Sequence, residues 1–257
     1  MPELRQLDGV FLIIFKIGKA VLGRGPAIAL TVTDSDNPRL IQKAKRRGVN
    51  LLEVRVDSFR RLDNAWVTQK LRSFRKLGMP IIGTIRSRRE GGRRLIPDSR
   101  RASLFKEILP FIDCVDLELG SQRLRKAVLA NARRRRKRVI LSYHNFRNTP
   151  SDAALAGLLD RARHAGADIV KIAVTPKRKE DVARLLFFTH RNREKNLIAI
   201  AMGPRGTASR ILAPLFGSLL TYSFAGRSHA PGQLSFEALR KELKPLQASY
   251  SRTPYSS

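Results

Sequence analysis

Asp168-Ile169-Val170-Lys171-Ile172-Ala173-Val174-Thr175 is the stretch that decides the fold. It is rich in β-branched residues, meets no Gly or Pro before Pro176, and has helical periodicity on both sides, so it predicts a short buried strand. Alternation puts Lys171 on one face with Ile169 and Ala173, and Val170 and Ile172 on the other. In a parallel sheet both faces are covered. A buried amine there needs a partner or sheds its proton, and a partly neutral amine is a candidate Schiff-base nucleophile. The bland alternative is a lysine snorkelling from a strand end, and the strand alone does not separate the two.

Outward from this strand a strand–helix alternation repeats. Strands are predicted at 27–32, 50–56, 80–85, 112–117, 138–142, 168–175, 197–201 and 219–223. Helices are predicted at 38–47, 62–77, 99–109, 122–132, 152–164, 179–191, 207–215 and 236–246, with Ser151 and Ser235 as N-caps of the fifth and eighth. Eight such units in one direction are the pattern of a (β/α)8 barrel in the α/β class. No internal repeat or linker divides them, and 257 residues suit a single domain of this kind.

Ahead of the barrel, the apolar run from Val10 to Phe15 is broken by Lys16 and Lys19, far short of the ~20 residues a membrane span needs. No basic start precedes it and no small-residue cleavage site follows, so a secretory signal is not expected. Gly18-Lys19 between two apolar runs reads as a hairpin turn. Residues 1–25 are therefore read as a hairpin segment packed against one end of the barrel, with a membrane-surface segment as the weaker alternative. The polar tail, 248–257, is expected to fray.

The single cysteine, Cys114, excludes an intramolecular disulfide and fits a reducing cytosol; its strand-like setting favours a buried, inert thiol. A net charge of +30 raises a nucleic-acid alternative. The arginines run along the whole chain, though, and the dense run Arg133–Arg136, Lys137 and Arg138 follows a predicted helix, where cations suit the C-terminus. No zinc spacing, basic zipper or aromatic RNA-binding motif accompanies them. The charge is read as a solubility and steering property.

Active sites of such barrels lie at the C-terminal ends of the strands and in the loops beyond. Glu53, Arg55 and Asp57 alternate along the second strand and so share one face; a structural ion pair is their alternative reading. Arg86 ends the third strand, with Glu90-Gly91-Gly92 in the loop after it. His144 follows the fifth, a general-base candidate beside a glutamate able to orient it. Arg210 lies after the seventh strand, and Gly226 to Gln233 after the eighth has the Gly and Pro of a lid. His164 and His190 fall in helices without such company.

Glu53-Val54-Arg55-Val56-Asp57, Thr84-Ile85-Arg86-Ser87 with Glu90-Gly91-Gly92, Tyr143-His144-Asn145-Phe146, Val170-Lys171-Ile172-Ala173 and Ala230-Pro231-Gly232-Gln233 together resemble type I 3-dehydroquinase, in order and spacing, over residues 27–246. The resemblance implies a (β/α)8 barrel whose N-terminal β-hairpin closes the barrel bottom. It implies a cytoplasmic, cofactor-free and metal-free lyase that dehydrates 3-dehydroquinate to 3-dehydroshikimate in the shikimate pathway. Lys171 would form the iminium, His144 would act as base and then acid, and Glu90 would hold the imidazole. Arg210 would clamp the substrate carboxylate. Glu53, Arg55, Arg86 and Gln233 would bind ring hydroxyls, with Thr31 a weaker contact. The small-molecule substrate is the expected partner, with no specific nucleic acid and no membrane; a homodimer is left open.

Two departures stand out. His229 occupies the lid position usually held by serine, with Ser228 beside it, and Asn145 replaces the usual aspartate after the histidine. A class I aldolase or other Schiff-base lyase is the nearest alternative, but it does not account for Glu53 with Arg55 or for the Ala-Pro-Gly-Gln lid. A basic nucleic-acid-binding barrel is the more distant one.

Overall fold

A computed structural model describes residues 3–7, 10–23, 25–226, 228 and 230–246, with side chains from residue 15 onward. His229 and the tail at 248–257 lie outside the described residues. Three N-terminal strands, β1 (Glu3–Leu7), β2 (Val10–Ile17) and β3 (Ala20–Leu22), form an antiparallel sheet. Gly18 and Lys19 make the turn between β2 and β3, Gly18 in the left-handed region at φ 54°. The predicted hairpin is present, and β1 extends it. β2 spans eight residues, and among the described residues β3 pairs with its Phe15, Lys16 and Ile17.

The barrel strands are β4 (Ile28–Val32), β5 (Leu51–Arg55), β6 (Ile81–Thr84), β7 (Cys114–Glu118), β8 (Arg138–Asn145), β9 (Ile169–Val174), β10 (Leu197–Ala201) and β11 (Thr221–Phe224). Parallel ladders join each to the next from β4 to β10, and β11 pairs back onto β4. Between β10 and β11 the seam is made by the Leu219 N–H donating to the Leu197 carbonyl (2.9 Å) and the Ala199 N–H donating to Ser218 Oγ (3.1 Å). A two-residue strand, β12 (Leu234–Ser235), continues the sheet beyond β11.

Helices alternate with the strands: α1 (Pro38–Arg46), α2 (Asn64–Lys76), α3 (Asp98–Ile108), α4 (Gln122–Arg134), α5 (Asp152–His164), α6 (Lys179–Arg191), α7 (Thr207–Leu212) and α8 (Phe236–Leu243). Ser151 Oγ accepts from Ala154 N–H and Ser235 Oγ from Ala238 N–H, caps worth about 1 kcal/mol each. β8 runs three residues past its expected end at Ser142. Tyr143, His144 and Asn145 are polar enough to read as loop, but they stay in register with Ile172, Ala173 and Val174. No helix among the described residues is long and apolar enough to cross a membrane.

Outward side chains such as Val54, Leu117, Leu141, Val170 and Ile172 are buried against the helices. Inward ones, including Leu51, Ile82, Cys114, Ile140, Ile169 and Ile198, join Phe15, Ile17 and Leu22 of the N-terminal sheet in a second core. That sheet therefore plugs the end where the strands begin. Phe15, Ile17 and Leu22 each contribute roughly 1.5–3 kcal/mol. Arg138 stacks over the Phe15 ring at 4.8 Å. With the lower end filled, the polar inward residues collect at the other end.

Candidate active site

Lys171 is inward-facing on β9 and 5% exposed. Its Nζ donates to Glu53 Oε1 at 3.2 Å and to Asp116 Oδ2 at 3.0 Å, and lies 4.1 Å from the centre of the Tyr222 ring. The cost of burying the amine is thus offset by two carboxylates and an aromatic face. Burial acts to raise Glu53, but Lys171 and Arg55 outweigh it and hold the carboxyl below its usual range. Asp116 is likewise held low against burial, by Arg86 and Lys171.

Arg86 lies two residues past the end of β6 and turns inward, 3% exposed, where Nη2 meets Asp116 Oδ1 at 2.8 Å and Nη1 donates to Ser142 Oγ at 2.5 Å. Ser142 in turn donates to Asp116 at 2.7 Å. Arg55 lies flat against Asp57, with Nε and Nη2 donating to its two oxygens at 3.0 and 2.9 Å. The structural pairing weighed for Glu53, Arg55 and Asp57 is therefore found between Arg55 and Asp57, while Glu53 turns to Lys171. Thr31 on β4 donates to Glu53 at 3.0 Å and accepts from Gln233 Nε2 at 3.2 Å.

Glu90 is placed by a tight loop. One 3-10 turn (Arg88–Glu90) leads to Gly91 at φ 87°, and Gly92 N–H donates back to the Ser87 carbonyl at 2.8 Å. A Cβ on Gly92 would stand 2.1 Å from the Arg86 carbonyl oxygen, so only glycine fits. Glu90 Oε2 accepts from the His144 backbone N–H at 3.0 Å and lies 3.0 Å from His144 Nδ1. A carboxylate accepts, which assigns the proton to Nδ1 and leaves Nε2 as the basic nitrogen. Burial, then the Arg86 and Lys171 cations, hold the imidazole well below its usual range. Burial pushes Glu90 up to about 7 against the pull of Arg86.

Arg210 on α7 is 4% exposed and among the described residues forms no salt bridge. Its Nη2 donates to the Pro231 carbonyl at 3.0 Å, and its Nε finds no acceptor among the described residues. Burial lowers it to about 10, so at neutral pH it is a cation in need of an anion. Pro231 also accepts from Gly203 N–H at 3.2 Å, which ties the lid to the loop after β10.

One cavity is lined by Thr31, Glu53, Arg55, Arg86, Glu90, His144, Lys171, Arg210 and Gln233. It therefore gathers every candidate drawn from the sequence except His229, which is not described. Ser228 is exposed, and its Oγ donates to the Ala230 carbonyl. The Asn145 side-chain Oδ1 accepts from the backbone N–H groups of Arg147 and Asn148, a role an aspartate would fill equally well. Cys114 is buried, its thiol pushed up by burial. Among the described residues no three His, Cys, Asp or Glu side chains group so as to hold a metal ion.

Asp116, Glu118 and Tyr222 were not singled out from the sequence. Asp116 and Glu118 alternate on β7 as Glu53 and Arg55 do on β5, so the same face argument would have found them. Glu118 Oε1 accepts from Ser87 N–H at 2.6 Å, its Oε2 pairs with buried Arg101, and the carboxylate thereby fixes the start of the Glu90 loop. Tyr222 has the appearance of ordinary strand core. Its hydroxyl has no hydrogen-bond partner among the described residues.

A model of the type I 3-dehydroquinase family matches residues 27–250. The 3-dehydroquinate dehydratase of Thermodesulfovibrio yellowstonii is 38% identical over 215 residues, covering 81% of this chain and 90% of that protein. Among solved structures, type I 3-dehydroquinate dehydratase from Clostridium difficile superposes with a TM-score of 0.82 at 29% identity, over 97% of this chain and all (100%) of that one. The enzyme from Aquifex aeolicus gives 0.74 at 35% identity, over 85% of this chain and 98% of that one. The chain belongs to the type I 3-dehydroquinase family.

Proposed function

We propose that this protein dehydrates 3-dehydroquinate to 3-dehydroshikimate through a Schiff base on Lys171, as a cytoplasmic step of the shikimate pathway carried out without cofactor or metal. The observation that carries the reading is the juxtaposition, in one cavity, of a buried lysine with a neutral histidine oriented by a carboxylate.

The free amine of Lys171 adds to the C3 carbonyl, and loss of water gives the iminium. The iminium withdraws electrons from C2, so the C2 proton becomes acidic enough for His144 Nε2 to remove. The resulting enamine pushes out the C1 hydroxyl, which leaves as water with the proton held by His144. Water then hydrolyses the product iminium, returning the ketone and the amine. Glu90 keeps the imidazole in the tautomer with a basic Nε2. Arg210 receives the substrate carboxylate through a charge-assisted pair. Arg55, Arg86, Glu53, Thr31 and Gln233 surround the ring hydroxyls. His229 belongs to this set by its place in the lid. The barrel with its plug acts as one unit.

Borohydride added with dehydroquinate should leave one reduced adduct, mapping to β9, and the Lys171→Arg variant should lose both the adduct and the conjugated-enone product seen by absorbance. An adduct on another lysine, or full turnover by Lys171→Arg, would overturn the mechanism.

A further inference from the structure

The face opposite the cavity carries a charge that the fold does not use. Helices of a (β/α)8 barrel end where the strands begin, so their C-terminal cations gather around the plug. The contacts there are explicit. Gly18 of the β2–β3 turn packs against Asp113 and Pro80, and Arg138 covers Phe15. Arg75 of α2 pairs with Asp113 at 2.6 Å, while Arg133 and Arg138 share Asp168 at 2.7 and 3.7 Å. Those two carboxylates are engaged. Lys16, Lys19, Lys76, Arg134, Arg135 and Arg136 are exposed and form no salt bridge among the described residues.

Capping of α4 does not explain the density. The benefit of a cation at a helix C-terminus fades within the last turn, and Arg135, Arg136 and Lys137 lie beyond the end of α4 at Arg134. Crowding is visible in Lys137, lowered by burial first, with Arg75 and Arg135 acting in the same direction against Asp113. The backbone also shows a cost. Just past their ends, α1, α2 and α5 have Gly48, Gly78 and Gly166 in the left-handed region, whereas α4 has Arg136 there at φ 53°. Glycine would relieve that strain and one positive charge together.

We propose that this face, centred on residues 133–138 with the β2–β3 turn and the end of α2, is a docking surface for the phosphate backbone of nucleic acid. Arginine predominates in its core, and guanidinium forks match phosphate oxygens in pairs. Among the side chains described, from Phe15 onward, Val21 of β3 is the one exposed large apolar residue of the plug. Readout is of backbone charge and carries no base sequence. Because the cavity opens at the other end of the strands, bound nucleic acid leaves the active site accessible.

The test is fluorescence anisotropy of the full chain with a labelled single-stranded RNA over a salt series. Six phosphate contacts predict a log–log slope near about −4. Arg134, Arg135 and Arg136 changed together to Glu should weaken binding about tenfold or more and reduce the slope to about −2. A control with the same change in net charge, Arg39, Arg123 and Lys179 to Glu at the N-terminal ends of α1, α4 and α6, should keep most of the affinity. Thermal unfolding of both variants checks that each is folded. Equal loss in the control would mean that overall charge attracts RNA, and the proposal falls. It falls also if RNA binds neither form, or if the patch is needed for anionic vesicles and not for RNA.

Discussion

Glu90→Gln separates what Glu90 does for folding from what it does for chemistry. In the folded protein the carboxyl is raised from 4.5 to about 7, with burial as the first cause. Between those values the native state binds more protons than the unfolded chain, so stability falls as pH rises through this window. A shift of that size corresponds to about 3 kcal/mol, fully expressed above pH ~7. The amide carries no charge to desolvate and still accepts the His144 N–H, so the variant should gain up to about 3 kcal/mol at pH ~8 and little at pH ~5. Activity should move the other way. Both His144 groups meet the same atom, Oε2, so an amide oxygen that keeps the backbone N–H also accepts from Nδ1–H, but it brings no negative charge to stabilise the imidazolium formed when Nε2 takes the proton; a loss of at least about 10²-fold is expected. Wild-type turnover should rise with pH about a midpoint near 7 that belongs to the Glu90–His144 pair. Urea titrations at both pH values, paired with turnover by absorbance, make the check. A variant less stable at pH ~8, or one that turns over normally, would refute the reasoning.

Arg210→Ala removes a partner for an anion already present in the bound ground state. KM should rise about 10- to 150-fold while kcat changes far less, and a collapsed kcat at unchanged KM in steady-state assays would misplace the residue. Asp116→Asn takes a charge from between Arg86 and Lys171, both nearly inaccessible, and should destabilise the protein by about 3–5 kcal/mol, read as a lower urea midpoint. Gly92→Ala forces a Cβ onto the Arg86 carbonyl, so the loop must shift. It should slow turnover by displacing Glu90, whereas Gly203→Ala, with open space at its Cβ but φ 78°, should act only through backbone strain. Similar kinetic damage in both would argue against that distinction.

Lys171 was legible because a cation within an apolar β-branched run is costly wherever the strand packs, and that cost is visible without coordinates. The ends of α5 and α6 were legible for local reasons too, since caps and periodicity lie within one turn. What offsets the burial of Lys171 was not legible. Asp116 is 55 residues away in sequence and Glu53 is 118, and their meeting depends on strand register and barrel stagger. The desolvation expected at Lys171 was thus only half of its setting. Tyr222 escaped because an aromatic in a strand is the ordinary content of a core. β8 looked short because Tyr143, His144 and Asn145 are polar; His144 faces the cavity, while Tyr143 packs on the helix side, so polarity there does not mark a loop.

The seam between β10 and β11 gives the barrel the mechanics of a split ring. Seven joints are laddered along their strands, and this one is fastened at two points. Its lips carry different halves of the cavity: β10 leads to Gly203 and Arg210, and β11 holds Tyr222 and leads to Gln233. The Pro231 carbonyl, accepting from Gly203 and Arg210 together, is the hook across the gap. A carboxylate taken up by Arg210 would load that hook directly, so the grip on an incoming anion and the girth of the ring around Lys171 are set by the same few atoms.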